Sequence, residues 1–226
     1  MYMNPKKLVG IKAASFVEDG MVVGLGTGST AYFMVEELGR RMKEENLSIT
    51  CVSTSTETEE FAVSLGLNMK TIDEVGTIDL TIDGADEVSP EFHGIKGGGG
   101  ALLFEKIVAI HSKKNIWIVD DSKQVDTLGQ FPLPVEVVPF ASELLFKKFT
   151  DKGYAPAFRM HEDDTVYVTD SKNYILDLSL EKIENPKALA EELKREVGVV
   201  EHGLFIDIAD LVIVGNEKLE IEILKK

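Results

Sequence analysis

From residue 5 to about 120 the chain alternates helical and extended patterns, and this alternation restricts the fold more than any other feature, because it demands a parallel sheet flanked by helices. Residues 6–17 carry apolar side chains at helical spacing, and 21–24 read as a short buried strand. Ala31, Met34, Val35, Leu38 and Met42 then fall at helical intervals, so a helix is expected to start near Ser29 or Thr30, both good capping types. Strand 49–53, helix 56–65, strand 79–82, helix 101–112 and strand 116–119 follow in turn. The expected fold class is α/β, an open sheet whose strands feed glycine-rich turns.

Around 129–134 the pattern changes. Prolines at 132, 134 and 139 bracket a short β-branched segment and mark a domain boundary. A helix near 141–150 is expected next, then a hairpin pairing 166–168 with 174–178 around a turn at 170–173, then a helix from Pro186 to about 196. Helix and antiparallel strands make a small α+β domain. The last extended runs, 210–214 and 219–224, are positioned to return to the first domain.

The 39 acidic against 24 basic residues leave a net charge of −15, which repels polyanions and removes the term that dominates nucleic-acid affinity. Nucleic acid is therefore excluded as a partner, whereas a small phosphorylated metabolite needs only a local cluster of N–H groups and one or two cations. No run approaches the ~20 apolar residues that cross a bilayer, and the first residues show no secretory signal. A cytoplasmic protein with no membrane partner is expected. The single cysteine, Cys51, reads as a small buried strand residue.

Three turns carry the candidate chemistry. In Val22-Val-Gly-Leu-Gly-Thr-Gly-Ser-Thr30 a strand passes through three glycines into a helix, where free N–H groups and the helix dipole suit an anion. Ser29 stands where a dinucleotide fingerprint needs glycine, and no Walker lysine follows; the hydroxyls of Thr27, Ser29 and Thr30 favour a phosphate. In Asp79-Leu-Thr-Ile-Asp-Gly-Ala-Asp-Glu87 an apolar strand delivers Asp83 and Asp86 to the loop past its carboxyl end, the region where open α/β sheets bind ligands. Paired carboxylates there can do acid–base work, hold sugar hydroxyls or chelate magnesium, though Asp and Gly are equally ordinary turn residues. The third turn, Ile95-Lys-Gly-Gly-Gly-Gly100, leads into an apolar helix carrying Glu105. Four successive glycines let backbone approach a ligand closely, at an entropic cost that stability alone does not justify. Glu105 has Ala101, Leu102, Val108 and Ala109 at helical spacing, and burial there raises a carboxyl toward the range of a general base that must also return its proton. Lys96 is a candidate cation for an oxyanion, and Lys123, after strand 116–119, can reach a phosphate or hydroxyl.

Six motifs in order, Gly-Thr-Gly-Ser-Thr at 26–30, Asp-Gly-Ala-Asp-Glu at 83–87, Ile-Lys-Gly-Gly-Gly at 95–99, Glu-Lys-Ile at 105–107, Asp-Ser-Lys-Gln-Val-Asp at 121–126 and Gly-Gln-Phe-Pro-Leu-Pro-Val-Glu-Val at 129–137, closely resemble the type A ribose-5-phosphate isomerase family. The resemblance implies a Rossmann-like domain over 1–130 and 206–226, with a smaller α+β domain over 131–205 inserted before the C-terminal strands. It implies an aldose–ketose isomerase of the pentose phosphate pathway that works without metal or cofactor, as a homodimer or higher homo-oligomer. Carried over residue by residue, Glu105 resembles the proton acceptor; Asp83 and Lys96 stand in segments that resemble substrate-binding loops, and their chemistry suits them to act beside Glu105 in catalysis. Thr27, Gly28, Ser29, Thr30, Gly84, Ala85, Asp86, Gly97, Gly98, Gly99 and Lys123 resemble the substrate-binding set, and Lys6 or Lys7 matches an N-terminal lysine. The alternative reading is a sugar-phosphate sensor without catalysis, although the chain has no basic helix-turn-helix segment to accompany one.

Overall fold

The computed structural model describes residues 3–226. In chain order the elements are α1 (Pro5–Ala14), β1 (Val22–Leu25), α2 (Ser29–Glu45), β2 (Thr50–Ser53), α3 (Thr56–Leu65), β3 (Asn68–Met69), α4 (Ile72–Val75) and β4 (Leu80–Asp83). There follow β5 (Glu87–Val88), β6 (Gly94–Ile95), α5 (Leu102–Ile110), β7 (Asn115–Asp120), β8 (Leu133–Val137), α6 (Ser142–Asp151) and β9 (Pro156–Phe158). The chain ends with β10 (Tyr174–Leu178), α7 (Pro186–Lys194), β11 (Val199–His202), β12 (Leu204–Phe205), β13 (Leu211–Gly215) and β14 (Ile221–Lys225).

Two compact units result. The first comprises Met1–Ala85, Phe104–Gln124 and Asp207–Lys226, and the second Asp86–Leu103 and Val125–Ile206. In the first, seven strands form a sheet in the order β14-β13-β7-β4-β1-β2-β3, parallel except for β14. From β1 the chain proceeds outward to β2 and β3, then returns to the other side of β1 for β4, so the strand order reverses between β1 and β4. The two C-terminal strands complete this sheet. Short buried strands with no polar alternation fit a sheet covered on both faces. The core gathers Val23, Leu25, Ile82, Ile116, Ile118 and Ile213 from the strands with Val9, Met34, Val35 and Leu38 from α1 and α2. Gly10 lets α1 press onto α2, since a Cβ there would lie 2.9 Å from the Met34 nitrogen and from the Phe33 Cβ. Cys51 is fully buried in β2, and burial pushes its thiol up to about 12, which makes it an inert packing residue.

In the second unit an antiparallel sheet, β11-β8-β10-β9, packs Leu133, Val135, Val137, Leu176 and Leu178 against Leu145 and Phe149 of α6 and Leu193 of α7. A smaller sheet, β12-β6-β5, joins 87–88 and 94–95 to 204–205, which is why 86–103 belong to this unit as well as 125–206. All five residues of β8 are buried, Glu136 among them; its carboxylate accepts from Thr169 Oγ1 and Asn173 Nδ2, each at 2.9 Å.

Two local expectations are corrected. The hairpin expected between 166–168 and 174–178 does not form: β10 pairs with β8 and β9, and Val166 makes only an isolated bridge to Met160. The turn at 170–173 is present, closed by Thr169 N–H to Asn173 O at 2.9 Å, but the preceding arm folds back on 159–161 through Tyr167 N–H to Arg159 O and His161 N–H to Thr165 O. Phe158 takes the place beside β10, stacked on Phe146 and edge-on to Tyr174. The second correction concerns α2, whose first residue is Ser29 and whose cap is Gly28, at φ 101° and with no side-chain capping bond. Neither Ser29 nor Thr30 is the capping residue, so the first N–H groups of this helix are left for another acceptor.

Candidate active site

The expected site residues divide between the two units. Thr27, Gly28, Ser29, Thr30, Asp83, Gly84, Ala85, Glu105 and Lys123 belong to the first, and Asp86, Lys96, Gly97, Gly98 and Gly99 to the second.

Within the first unit the reversal of strand order brings the turns after β1 and β4 side by side, the place where a crevice opens in sheets of this kind. Leu25 is in register with Ile82, and Gly26 N–H donates to Ile82 O at 2.9 Å. The Asp83 carboxylate, 3% exposed, accepts the N–H groups of Thr27 at 3.1 Å and Gly84 at 2.7 Å through Oδ1. Gly26 is indispensable to this approach, because a Cβ there would stand 2.1 Å from that oxygen and 2.5 Å from the Asp83 Cα.

The Thr27 side chain turns inward. Its hydroxyl lies 2.7 Å from Thr54 Oγ1 and 2.8 Å from Ser55 Oγ, while Thr58 Oγ1 donates to Gly26 O at 3.2 Å. This hydroxyl cluster braces the turn, and with its N–H on Asp83 Oδ1 Thr27 is tied down at both backbone and side chain. Thr54, Ser55 and Thr58 escaped sequence reasoning, although the run Ser53-Thr-Ser-Thr-Glu-Thr58 directly after a buried strand was a visible signal. On the other flank of the turn, Lys6 Nζ donates to Ser29 Oγ at 2.9 Å, whereas Lys7 Nζ pairs with Glu36 at 3.4 Å. Of the two N-terminal lysines, Lys6 is thus the one placed at the glycine turn. An uncapped helix start with an ammonium beside it is an anion site in waiting.

Glu105 stands in the first turn of α5 and is 5% exposed. One turn further on, Val108 packs with Val52 and Ile78 and faces Gly24, where an added Cβ would lie 2.8 Å from it. The far end of the helix meets the start of the strands, with Ile78 N–H donating to His111 O and Asn115 Nδ2 to Ala109 O. Its N-terminal turn therefore points toward the strands' carboxyl ends, the same edge that carries Asp83. Lys123 closes the 3₁₀ turn Asp121–Lys123 that follows β7, the strand beside β4.

In the second unit Lys96 follows β6, is 2% exposed, and holds its ammonium 5.3 Å from the centre of the Phe205 ring. Gly98 N–H donates to Asp86 Oδ2 at 2.8 Å, and a Cβ on Gly98 would come within 2.5 Å of Asp86 Oδ1. Asp86 is thus already tied to the glycine loop. Gly97 and Gly100 have φ of 101° and 84°, conformations that glycine adopts without strain. Among the described residues no cluster of His, Cys, Asp and Glu is arranged to hold a metal ion, and no helix is long and apolar enough to cross a membrane.

Comparison with known proteins gives the family. The model of the family Ribose 5-phosphate isomerase A (phosphoriboisomerase A) matches residues 50–219. The chain is 62% identical over 215 residues to a ribose-5-phosphate isomerase A of Enterococcus faecalis, covering 95% of each chain. It is 60% identical over 212 residues to one of Streptococcus thermophilus, covering 94% of each. Among solved structures, a D-ribose-5-phosphate isomerase in complex with phospho-erythronic acid superposes with a TM-score of 0.95 at 37% identity, covering 99% of this chain and 100% of that one. Ribose 5-phosphate isomerase A of Methanocaldococcus jannaschii gives 0.92 at 38%, covering 98% of both. With a match across nearly the whole length in sequence and in fold, this α/β chain belongs to the ribose 5-phosphate isomerase A family and is an aldose–ketose isomerase.

Proposed function

We propose that this chain interconverts ribose 5-phosphate and ribulose 5-phosphate through a cis-enediolate, with Glu105 as the base. The observation that carries the assignment is the buried Glu105 carboxyl, on the helix turn that points to the carboxyl edge of the sheet where Asp83 is held. A carboxyl is the side-chain type that can take a proton from carbon and give it back.

In the ring-opened aldose phosphate, Glu105 removes the proton from C2. The C2–H electron pair becomes the C1–C2 double bond, and the carbonyl pair moves onto O1. The resulting negative oxygen is stabilised by the Lys96 ammonium and by backbone N–H groups of the 97–100 loop. Return of the same proton to C1, with loss of the O2 proton, gives the ketose. Asp83 moves protons between the two oxygens and assists ring opening, and Asp86 orients a hydroxyl with the oxygen that does not hold Gly98. The phosphate lies at the uncapped start of α2, with Lys6 and Lys123 as its cations; the Lys6–Ser29 contact and the absence of a side-chain cap support this end of the pose. Each step draws on side chains and N–H groups of the chain itself. The related structure in complex with phospho-erythronic acid fits the same class of ligand, since a phosphorylated hydroxy acid carries a planar, negatively charged carboxylate that resembles an enediolate.

The test is conversion of ribose 5-phosphate by the purified chain beside its Glu105→Gln variant. Turnover is expected to fall by about 10³-fold or more, with binding of the sugar phosphate retained. An active variant would overturn the base, and a folded wild type that binds the sugar phosphate without converting it would support the sensor reading instead.

A further inference from the structure

We propose that Arg159, anchored by Asp177, is a positioning residue for the isomerisation: it holds the Gly97 and Gly98 carbonyls of the glycine loop in one orientation, so that the Gly99 N–H is presented to the ligand before it arrives. This rests on the reading above, in which the loop stabilises the enediolate oxygen.

The guanidinium of Arg159 is divided between two tasks. Nε and Nη2 donate to the two Asp177 oxygens at 2.9 and 2.5 Å, the paired geometry that fixes an arginine head in place. Nη1 then reaches across to Gly97 O at 2.7 Å and Gly98 O at 3.1 Å. Asp177 lies in β10 and is in register with Ala157 and Pro134, so the anchor belongs to a paired strand and not to a mobile side chain alone. Tyr167 adds a second strap. Its ring sits 6.0 Å from the guanidinium and its hydroxyl donates to Gly99 O at 3.4 Å, while Gly100 is so close that a Cβ would lie 2.3 Å from that hydroxyl.

The carbonyls of Gly97 and Gly98 are thereby turned toward one guanidinium, and the turn is closed by Gly100 N–H donating to Gly97 O at 2.9 Å. A trans peptide points its N–H opposite to its C=O, and none of the peptide bonds here is cis. Fixing Gly97 O on Arg159 therefore sends Gly98 N–H the other way, where Asp86 Oδ2 receives it at 2.8 Å. Fixing Gly98 O sends Gly99 N–H to that same side. Asp86 and the Gly99 N–H thus share the face opposite the clamp, and the second is a donor ready for an oxyanion. A run of four glycines would otherwise sample many conformations, and ordering it at each binding event would weaken transition-state stabilisation; a clamp that settles the donors beforehand avoids that loss. No local signal at Arg159 announces this role, because the loop it holds lies some sixty residues earlier in the chain.

The experiment compares wild type with Arg159→Ala, Arg159→Lys and Asp177→Asn in steady-state kinetics on ribose 5-phosphate, with Glu105→Gln as a reference, and follows amide exchange of the 95–101 segment in each. Arg159→Ala is expected to lose roughly 10- to 100-fold in kcat/KM, mostly in kcat, as misplaced catalytic groups do. Its 95–101 amides should exchange faster while those of β8 and β10 stay protected. Added guanidinium ion should restore part of the rate, Arg159→Lys should fall between alanine and wild type, and Asp177→Asn should show the same change to a smaller degree. Wild-type kcat/KM in Arg159→Ala, or a loss accompanied by faster exchange throughout the unit and no rescue by guanidinium, would overturn the proposal. Failure of the underlying reading looks different: Glu105→Gln stays active, or the wild type does not isomerise the sugar, while the exchange data still report whether Arg159 orders the loop.

Discussion

The turn after β1 and the loop after β6 are both rich in glycine, yet they are held in different ways. In the first, Gly26 makes room for Asp83, a residue of the adjacent parallel strand, and the backbone is braced by the Thr27, Thr54, Ser55 and Thr58 hydroxyls at the end of the same sheet. In the second, Gly98 and Gly100 make room for Asp86 and Tyr167, and the carbonyls are gripped by a guanidinium. One segment is stiffened by the sheet that produces it and ends on the positive end of a helix of 17 residues. The other follows a two-residue strand of a three-stranded sheet and is gripped in addition by side chains from distant segments. Glycine in both is less a source of flexibility than a gap that another side chain fills.

Substitutions can break or sharpen this contrast. The largest effect is expected for Gly26→Ala, whose Cβ would meet the Asp83 backbone as well as its side chain, at 2.5 and 2.1 Å. Because the backbone atom cannot swing away, a loss of about 2–3 kcal/mol in urea unfolding is expected, together with loss of isomerase activity. A stable, active Gly26→Ala would show that the sheet does not stiffen this turn. Gly100→Ala should cost about 1–2 kcal/mol for the left-handed backbone, with a further clash against the Tyr167 hydroxyl. Adding Tyr167→Ala relieves only the clash, so comparing the single and double variants separates strain from contact; equal stability of the two would remove Tyr167 from the strap. Thr27→Val should be mildest, at about 1 kcal/mol for the lost hydroxyl bonds, with kcat/KM lowered only slightly because the hydroxyl is already bonded to Thr54 and Ser55. A large loss of sugar-phosphate affinity in Thr27→Val would instead put that hydroxyl in contact with substrate.

Local signals accounted for much of the first unit. The helix expected over 56–65 is Thr56–Leu65 in the structure, because both of its ends are written into the chain: Ser55 accepts the Thr58 N–H as the cap, and Gly66 takes the left-handed exit at φ 88°. At α2 the helix starts at Ser29 as expected, but Ser29 and Thr30, good caps in isolation, do not cap it, because the chain enters the helix through Gly28. The misplaced hairpin has a similar origin. The alternating runs around 170–173 have strand character, but which strand each joins depends on partners: Glu136 holds both ends of that turn, and Phe158 packs beside β10 in place of Val166 and Val168. For the site, the glycine turns and the acidic residues near them were visible as motifs. The bracing hydroxyls, the choice of Lys6 over Lys7, and the Arg159–Asp177 clamp were not, because each is a contact between segments far apart in sequence.

What the amino-acid sequence determined by itself was the α/β class, the order of the elements, and which short segments bear chemically useful side chains, since periodicity, caps and glycine turns act over a few residues. Only the tertiary structure decided that strand order reverses between β1 and β4, that 86–103 pack with 125–206, and that two carbonyls of a glycine loop share one guanidinium. Those outcomes arise from pairings and close approaches between residues tens of positions apart, and their energies exist only once the chain has folded.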